Sequence, residues 1–218
     1  MMRVGVAGGL AGIVGLLVWA GVAFAKTDEW DRYGVRFVGL STDQIAVLED
    51  TVARLRVLAP SEPTINAETY RRLSRFEALF GFPFNGPDLV DWLLRRTTKI
   101  SHGGGRLAAN HQGGKRLVLS DVFFQKLSPL ERFYLLIHEA RHSDSGGFPH
   151  VPCPAAYPFV SATQPQMDLE AEAACDDRPD GAYAFQAAFL FELYARGLFD
   201  QQEAGLLYNS TVARVLKR

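Results

Sequence analysis

The sequence has few cysteines and no excess of charge of either sign. Its 218 residues include only two cysteines, and 23 Lys and Arg are balanced by 24 Asp and Glu. A near-neutral chain gives no electrostatic reason to expect nucleic acid or an anionic membrane surface as a partner. The chain also lacks internal repeats, low-complexity tracts and any linker rich enough in Pro, Gly or Ser to separate two domains. With 48% hydrophobic and 22% charged residues, the composition excludes a wholly disordered chain and indicates one globular domain.

The N-terminal 25 residues have the pattern of an export signal. A short basic start precedes residues 4–22, which are nearly all apolar, and Ala23-Phe24-Ala25 supplies the small residues that a signal peptidase needs. We expect residues 1–25 to be a signal peptide and residues 26–218 to be the functional domain. About 20 apolar residues can also span a bilayer, so an uncleaved membrane anchor is the alternative, and only then is the membrane a partner. Either way the domain is periplasmic or secreted.

Both cysteines, Cys153 and Cys175, follow this leader. An even cysteine count in an exported chain predicts a disulfide, because the bond forms and persists in an oxidising compartment. A pair of zinc thiolates is the competing interpretation, which the absence of a Cys-x-x-Cys spacing disfavours.

Apolar periodicity predicts a predominantly helical α+β fold with a small sheet. Ser41 and Gln44 have the spacing of a capping box that opens the first long helix. Helices are expected over residues 41–58, 67–80 and 87–96 and after Tyr183, and strands over residues 35–40 and 115–124.

The most informative segment begins at Ser128. The sequence Ser-Pro-Leu-Glu over residues 128–131 places a capping serine, a proline in the first turn and a glutamate three residues past the cap. Apolar residues then recur at three- and four-residue spacing up to Ile137, which predicts a helix that runs through the middle of the domain.

This helix ends in the sequence His138-Glu139-Ala-Arg-His142. Residues four apart lie on the same face of a helix, so both imidazoles can reach one Zn²⁺ ion while Glu139 meets a metal-bound water. Zinc lowers the pKa of that water to near 7, and the carboxylate can take its proton and pass it to a leaving group. The segment therefore predicts a zinc-dependent hydrolase.

The pattern His138-Glu-x-x-His142 resembles that of the zincin metallopeptidases. The resemblance implies a zincin-like single domain with a central active-site helix, and an amide-bond hydrolase in which Glu139 is the general base. The implied substrate is a protein, a peptide or a cell-wall peptide. The zincins also run substrate along an extended edge strand ahead of the active helix, which is where the strand over residues 115–124 is expected.

A catalytic zinc site needs a third protein ligand, and Asp180 is the first choice. Asp180-x-x-Tyr183 is similar to the Asp-x-x-Tyr of the aspzincin branch, which implies Asp180 as ligand and Tyr183 as the hydroxyl that supports the oxyanion. A phenol directed at the developing charge contributes several kcal/mol, on the order of 3 kcal/mol, to lowering the barrier.

Other residues compete for the third position. His150, eight residues after His142, resembles the third histidine of the metzincin branch. Glu170 or Glu172, in a stretch expected to be helical, would be a gluzincin-like ligand, and Asp177 is a further candidate.

Two other functions stay open. The first is an envelope binding protein in which the zinc is structural or the site is not catalytic, and the second is a cell-wall amidase or endopeptidase. An open metal position beside Glu139 distinguishes a catalytic site from a structural site closed by four ligands.

Overall fold

The computed structural model describes residues 28–105, 107–154 and 169–217, so the expected leader over residues 1–25 lies outside the described residues. About half of the described residues are helical and the strands form two small sheets, which confirms an α+β fold. In the described ranges, every helix is too short or too polar to cross a membrane.

The elements follow one another along the chain without a long unstructured stretch in the described ranges. In order they are α1 (Asp28–Arg32), β1 (Arg36–Val38), α2 (Thr42–Arg56), α3 (Ala67–Leu73), α4 (Phe76–Phe80), α5 (Gly86–Arg95), β2 (Lys99–His102), β3 (Ala109–His111), β4 (Arg116–Leu119), α6 (Asp121–Gln125), α7 (Pro129–Arg141), β5 (Val151–Pro152), β6 (Ala173–Cys175), α8 (Ala182–Arg196) and α9 (Gln201–Val212).

The larger sheet has the strand order β1-β2-β4-β3, with β3 at an edge. The first three strands are parallel, and β3 pairs antiparallel to β4. The expected edge strand over residues 115–124 is therefore wrong in place and length. Its first half is the inner strand β4, and Ser120 then caps α6 with its side chain. The edge strand is β3, which lies earlier in the chain.

Two helix starts agree with their sequence signals. Ser41 with Gln44 and Ser128 with Glu131 each form a complete capping box, in which the serine side chain and the partner side chain bond to each other's backbone N–H groups. The helix expected over residues 67–80 is two helices, because Ser74 adopts an extended backbone between them.

Helix α7 lies among several partners. It contacts α8, β3, α2 and α5, and nearly all of its last two turns are buried. Helix α8 is buried around almost its whole circumference, as its apolar sequence predicts, and α9 packs on its other side. The C-terminal half of α7 is thus fixed by its neighbours.

A second sheet lies close to the end of α7 along the chain. Strands β5 and β6 pair antiparallel, and a disulfide joins Cys153, directly after β5, to Cys175, the last residue of β6. The disulfide prediction is confirmed. The stretch with Glu170 and Glu172 was expected to be helical and is instead a bridge and a turn that lead into β6.

Candidate metal site

Three imidazoles converge at the C-terminal end of α7. Nε2 of His138 lies 3.1 Å from Nε2 of His150 and 3.3 Å from Nε2 of His142. All three potential ligand atoms lie within 4.8 Å of one another. Three imidazole nitrogens this close to one another could hold a metal ion.

Local structure explains how the three histidines meet. His138 lies in the last turn of α7 and His142 is its C-cap, so the helix places both on one side. The chain then reverses through Gly146 and Gly147, which adopt φ values of 101° and 66° that favour glycine. This reversal returns His150 to the histidines of the helix.

A second hydrogen bond orients two of these imidazoles. Nδ1 of His142 donates to the carbonyl oxygen of Gly147 at 3.0 Å, and Nδ1 of His150 donates to Oδ1 of Asp176 at 2.9 Å. Because the proton lies on Nδ1 in both rings, each Nε2 presents a lone pair to the centre of the cluster. Both Nε2 atoms lie close to Nε2 of His138, so the cluster is a donor set that could hold a metal ion.

Asp176 is also fixed on its other side. Its Oδ2 accepts a hydrogen bond from the backbone N–H of Tyr183 at 2.7 Å, and the residue is only 3% exposed. Gly181 leaves the space for this contact, since a Cβ there would overlap the Asp176 carboxylate. One buried carboxylate therefore connects the third histidine to the start of α8.

The histidines of α7 are in the form that binds metal. Burial lowers the pKa of His138 well below its ordinary value, and the charges of His150, His142 and Arg214 act in the same direction. Burial also lowers the pKa of His142. Both rings are therefore neutral at neutral pH, with a free nitrogen lone pair.

Glu139 lies beside the cluster and is almost completely buried. Burial raises the pKa of its carboxyl group to about 8, while the backbone N–H of His111 in β3 donates to it and opposes that shift. With this pKa the group is largely protonated at neutral pH in the metal-free protein, and a nearby cation would favour its ionised form.

Tyr183 packs its ring against two of the histidines. The ring centroids are 4.5 Å from His138 and 4.7 Å from His150, and the residue is 7% exposed. Its hydroxyl oxygen accepts a hydrogen bond from Arg214 at 2.7 Å. Because an arginine only donates, the phenolic proton of Tyr183 is directed at a different acceptor.

These groups line one cleft of about 610 Å³. Its polar lining includes Asn110, His111, His138, Glu139, His142, His150, Glu172, Tyr183, Gln186, Thr211 and Arg214. The rest of the lining is largely apolar, so the cleft combines a few polar groups with apolar walls.

Asp180 is not part of the histidine cluster. Its carboxylate is bound by Arg178 through both oxygens and by Arg141 through Oδ2. The structure thus groups His150, and not Asp180, with His138 and His142. Of the remaining candidates, Glu170, Glu172 and Asp177 are exposed, and Glu172 lines the cleft.

Sequence reasoning missed three charged residues around the site. These are Asp176, which orients His150, Arg214, which binds Tyr183, and Arg141, which binds the backbone of Asp180. The position of Asp176 directly after a disulfide cysteine was an available signal, since that bond anchors its backbone. Arg214 lies far along the chain in a region without any motif.

Comparison with known proteins gives no match: no family model, no curated protein and no solved structure is significantly similar to this chain.

Proposed function

We propose that this protein is an exported, zinc-dependent metallopeptidase of the zincin type, with His138, His142 and His150 as zinc ligands. The observation that carries the proposal is the convergence of three imidazole nitrogens beside a buried glutamate in an open cleft. The substrate is an amide bond in a protein, a peptide or a cell-wall peptide.

His138, His142 and His150 would hold the zinc ion, which would supply the Lewis acidity that activates water. Glu139, which lines the same cleft, would take a proton from that water and return it to the leaving nitrogen. The bound cation would also lower the pKa of Glu139 towards the ionised form that accepts the proton.

Tyr183 is the candidate donor to the oxyanion of the tetrahedral intermediate. Its oxygen is already an acceptor for Arg214, so its proton is available to a substrate oxygen in the cleft. A hydrogen bond that forms fully only in the transition state lowers the barrier by about 3 kcal/mol.

His150 is preferred to Asp180 as the third ligand for two reasons. Its Nε2 already faces that of His138, and its Nδ1 is held by Asp176, the arrangement typical of a histidine that binds zinc. Asp180 would have to leave two arginines before it could bind a metal.

The sheet supports a zincin-like architecture. Strand β3 is an antiparallel edge strand, contacts α7, and lines the cleft with Asn110 and His111. An extended substrate that adds to this edge would pass the histidine cluster, as the family resemblance implies.

The disulfide between Cys153 and Cys175 is typical of an oxidising compartment. It supports a periplasmic or secreted location, with residues 1–25 as signal peptide or membrane anchor.

Metal content tests the ligand set. We expect about one zinc per chain in the wild type, a clear loss in His150→Ala, and retention in Asp180→Ala, because only the first substitution removes a ligand. Zinc lost from Asp180→Ala and kept in His150→Ala would reverse the assignment.

Hydrolysis of a mixed peptide library, followed by mass spectrometry, tests the activity. Glu139→Gln and Tyr183→Phe should retain zinc and lose most of the activity, since neither residue is a ligand. A wild type that binds zinc and cleaves neither peptides nor cell-wall fragments would indicate a structural zinc in a binding protein.

A further inference from the structure

Arg141 stands between Glu139 and His142 in sequence, yet its side chain does not face the histidine cluster. Its guanidinium is only 11% exposed and lies close to two aromatic rings, 3.5 Å from the centroid of Phe148 and 4.3 Å from that of Phe185. Contact with two rings is favourable for a planar cation and restricts its orientation.

Hydrogen bonds from Arg141 reach two further segments of the chain. Its Nε and one terminal nitrogen donate to the carbonyl oxygen of Asp180 at 3.0 and 2.8 Å. The other terminal nitrogen donates to the carboxylate of Asp144. One side chain on α7 thus joins the loop after the helix to the turn before α8.

Each of these two segments carries a group of the candidate metal site. The loop over residues 143–150 ends in His150, and the turn over residues 176–181 begins with Asp176, the hydrogen-bond partner of His150. Among the described residues, two other contacts join this loop to this turn. One is the hydrogen bond between His150 and Asp176, and the other is the packing of Arg178 on Phe148, 4.6 Å from its centroid.

The loop is held in a conformation that needs support. Phe148, two residues before His150, has a φ of 44°, which is unfavourable for a bulky residue. Its ring is buried against Arg141, so this packing compensates the backbone strain. Without it the loop can relax, and His150 would move with it.

We infer that Arg141 is a positioning residue that holds the loop over residues 143–150 so that His150 meets His138 and His142. The inference rests on the proposed metal site, and it explains what holds the third proposed ligand, His150, in its position. Arg141 does not line the cleft, so it would act through His150.

The test compares Arg141→Lys with Arg132→Lys in the full-length protein. Lysine keeps the charge and loses the planar fork. Arg132 is the matched control, because it lies on the same helix and its guanidinium likewise donates to two backbone carbonyls, those of Phe123 and Phe124, away from the histidines.

We expect Arg141→Lys to lower zinc affinity about tenfold or more, as loss of support for a ligand does, and Arg132→Lys to leave it within about twofold. The visible spectrum of the Co²⁺-loaded Arg141→Lys protein should shift towards that of His150→Ala. In the metal-free protein, amide hydrogen exchange over residues 143–150 should become faster in Arg141→Lys alone.

Three outcomes would overturn the inference. Unchanged zinc affinity in Arg141→Lys, with zinc bound by the wild type, would refute it while the proposed function stands. Equal losses in both lysine variants would show a general effect on stability. A wild type that binds neither Zn²⁺ nor Co²⁺ would refute the proposed function and this inference together. Hydrogen exchange would then report only on how Arg141 packs against the loop over residues 143–150.

Discussion

Glu139 shows how one residue's surroundings decide its chemistry. Its side chain is almost completely buried, and burial raises its pKa to about 8. Ionisation of such a group is costly unless a cation lies nearby. In the absence of metal, Glu139 therefore destabilises the fold at high pH, which gives a prediction that needs no substrate.

In the metal-free protein, Glu139→Gln should increase the free energy of unfolding in a pH-dependent way. Below pH 4 the carboxyl group is protonated in both the folded and the unfolded state, so the variant and the wild type should be similar. Between pH 4 and 8 the unfolded state ionises first, so the wild type loses stability as pH rises while the variant does not. The difference should reach a plateau above pH 8, on the order of 5 kcal/mol at most.

Urea unfolding between pH 4 and 9 in the presence of a chelator measures this difference. Added zinc should reduce it, because a nearby cation stabilises the carboxylate. A constant difference across the whole pH range would show that Glu139 does not titrate as its burial implies.

At the scale of secondary structure, Asp176 joins two elements through one buried carboxylate. Oδ1 accepts from His150, before β5, and Oδ2 accepts from the backbone of Tyr183, in α8. Asp176→Asn replaces one carboxylate oxygen, an acceptor, with an amide NH₂ group, which is a donor. Either the imidazole N–H of His150 or the backbone N–H of Tyr183 would then face another donor.

We expect Asp176→Asn to lower zinc affinity by about 10- to 100-fold and to destabilise the fold by about 1–3 kcal/mol. Zinc competition with a chromophoric chelator and urea unfolding measure the two effects. Asp177→Asn is the control, since Asp177 is the next residue in the chain and its carboxylate is exposed. If the two variants behave alike, Asp176 has no special role at the site.

The elements that sequence patterns predicted best are those with a local cause. The start of α7 depends on Ser128 and Glu131, which lie within one turn of each other, and the helix itself fixes the relation of His138 to His142. Strand β3 was missed because three residues are too few for a periodicity, and its pairing with β4 is a tertiary contact.

The residue that joins His138 and His142 in the cluster could not be settled from the sequence, because it depends on how loops return to the helix. The Asp180-x-x-Tyr183 pattern favoured Asp180, yet Arg141 and Arg178 bind that carboxylate in the folded chain. The glycines at 146 and 147 were a signal for a sharp reversal towards His150. The glycines alone do not show that the reversal brings His150 to the cluster, because that position also depends on the hydrogen bond between His150 and Asp176.

For the molecule as a whole, the disulfide connects the histidine cluster to the rest of the fold. Cys153 lies three residues after His150, and Cys175 directly precedes Asp176, so the bond holds together the two chain segments that carry this pair. Both cysteines are 2% exposed and pack with Leu169 in a small cluster separate from the main core. A small cluster supplies little hydrophobic stabilisation, so the covalent bond adds an important constraint to the backbone pairing of β5 and β6.

Removal of the disulfide should therefore weaken both the fold and the metal site. The bond spans a sequence separation of 22 residues. Closing a loop of this length is worth about 3 kcal/mol in the chain-entropy model, and we expect Cys153→Ala/Cys175→Ala to lose roughly that much stability in urea. Zinc affinity should fall as well, because His150 and Asp176 gain freedom relative to each other, and excess zinc should restore part of the lost stability through binding to the folded state. A double variant with lower stability and unchanged zinc affinity would show that the main core and the chain around Arg141 position His150 without the covalent link.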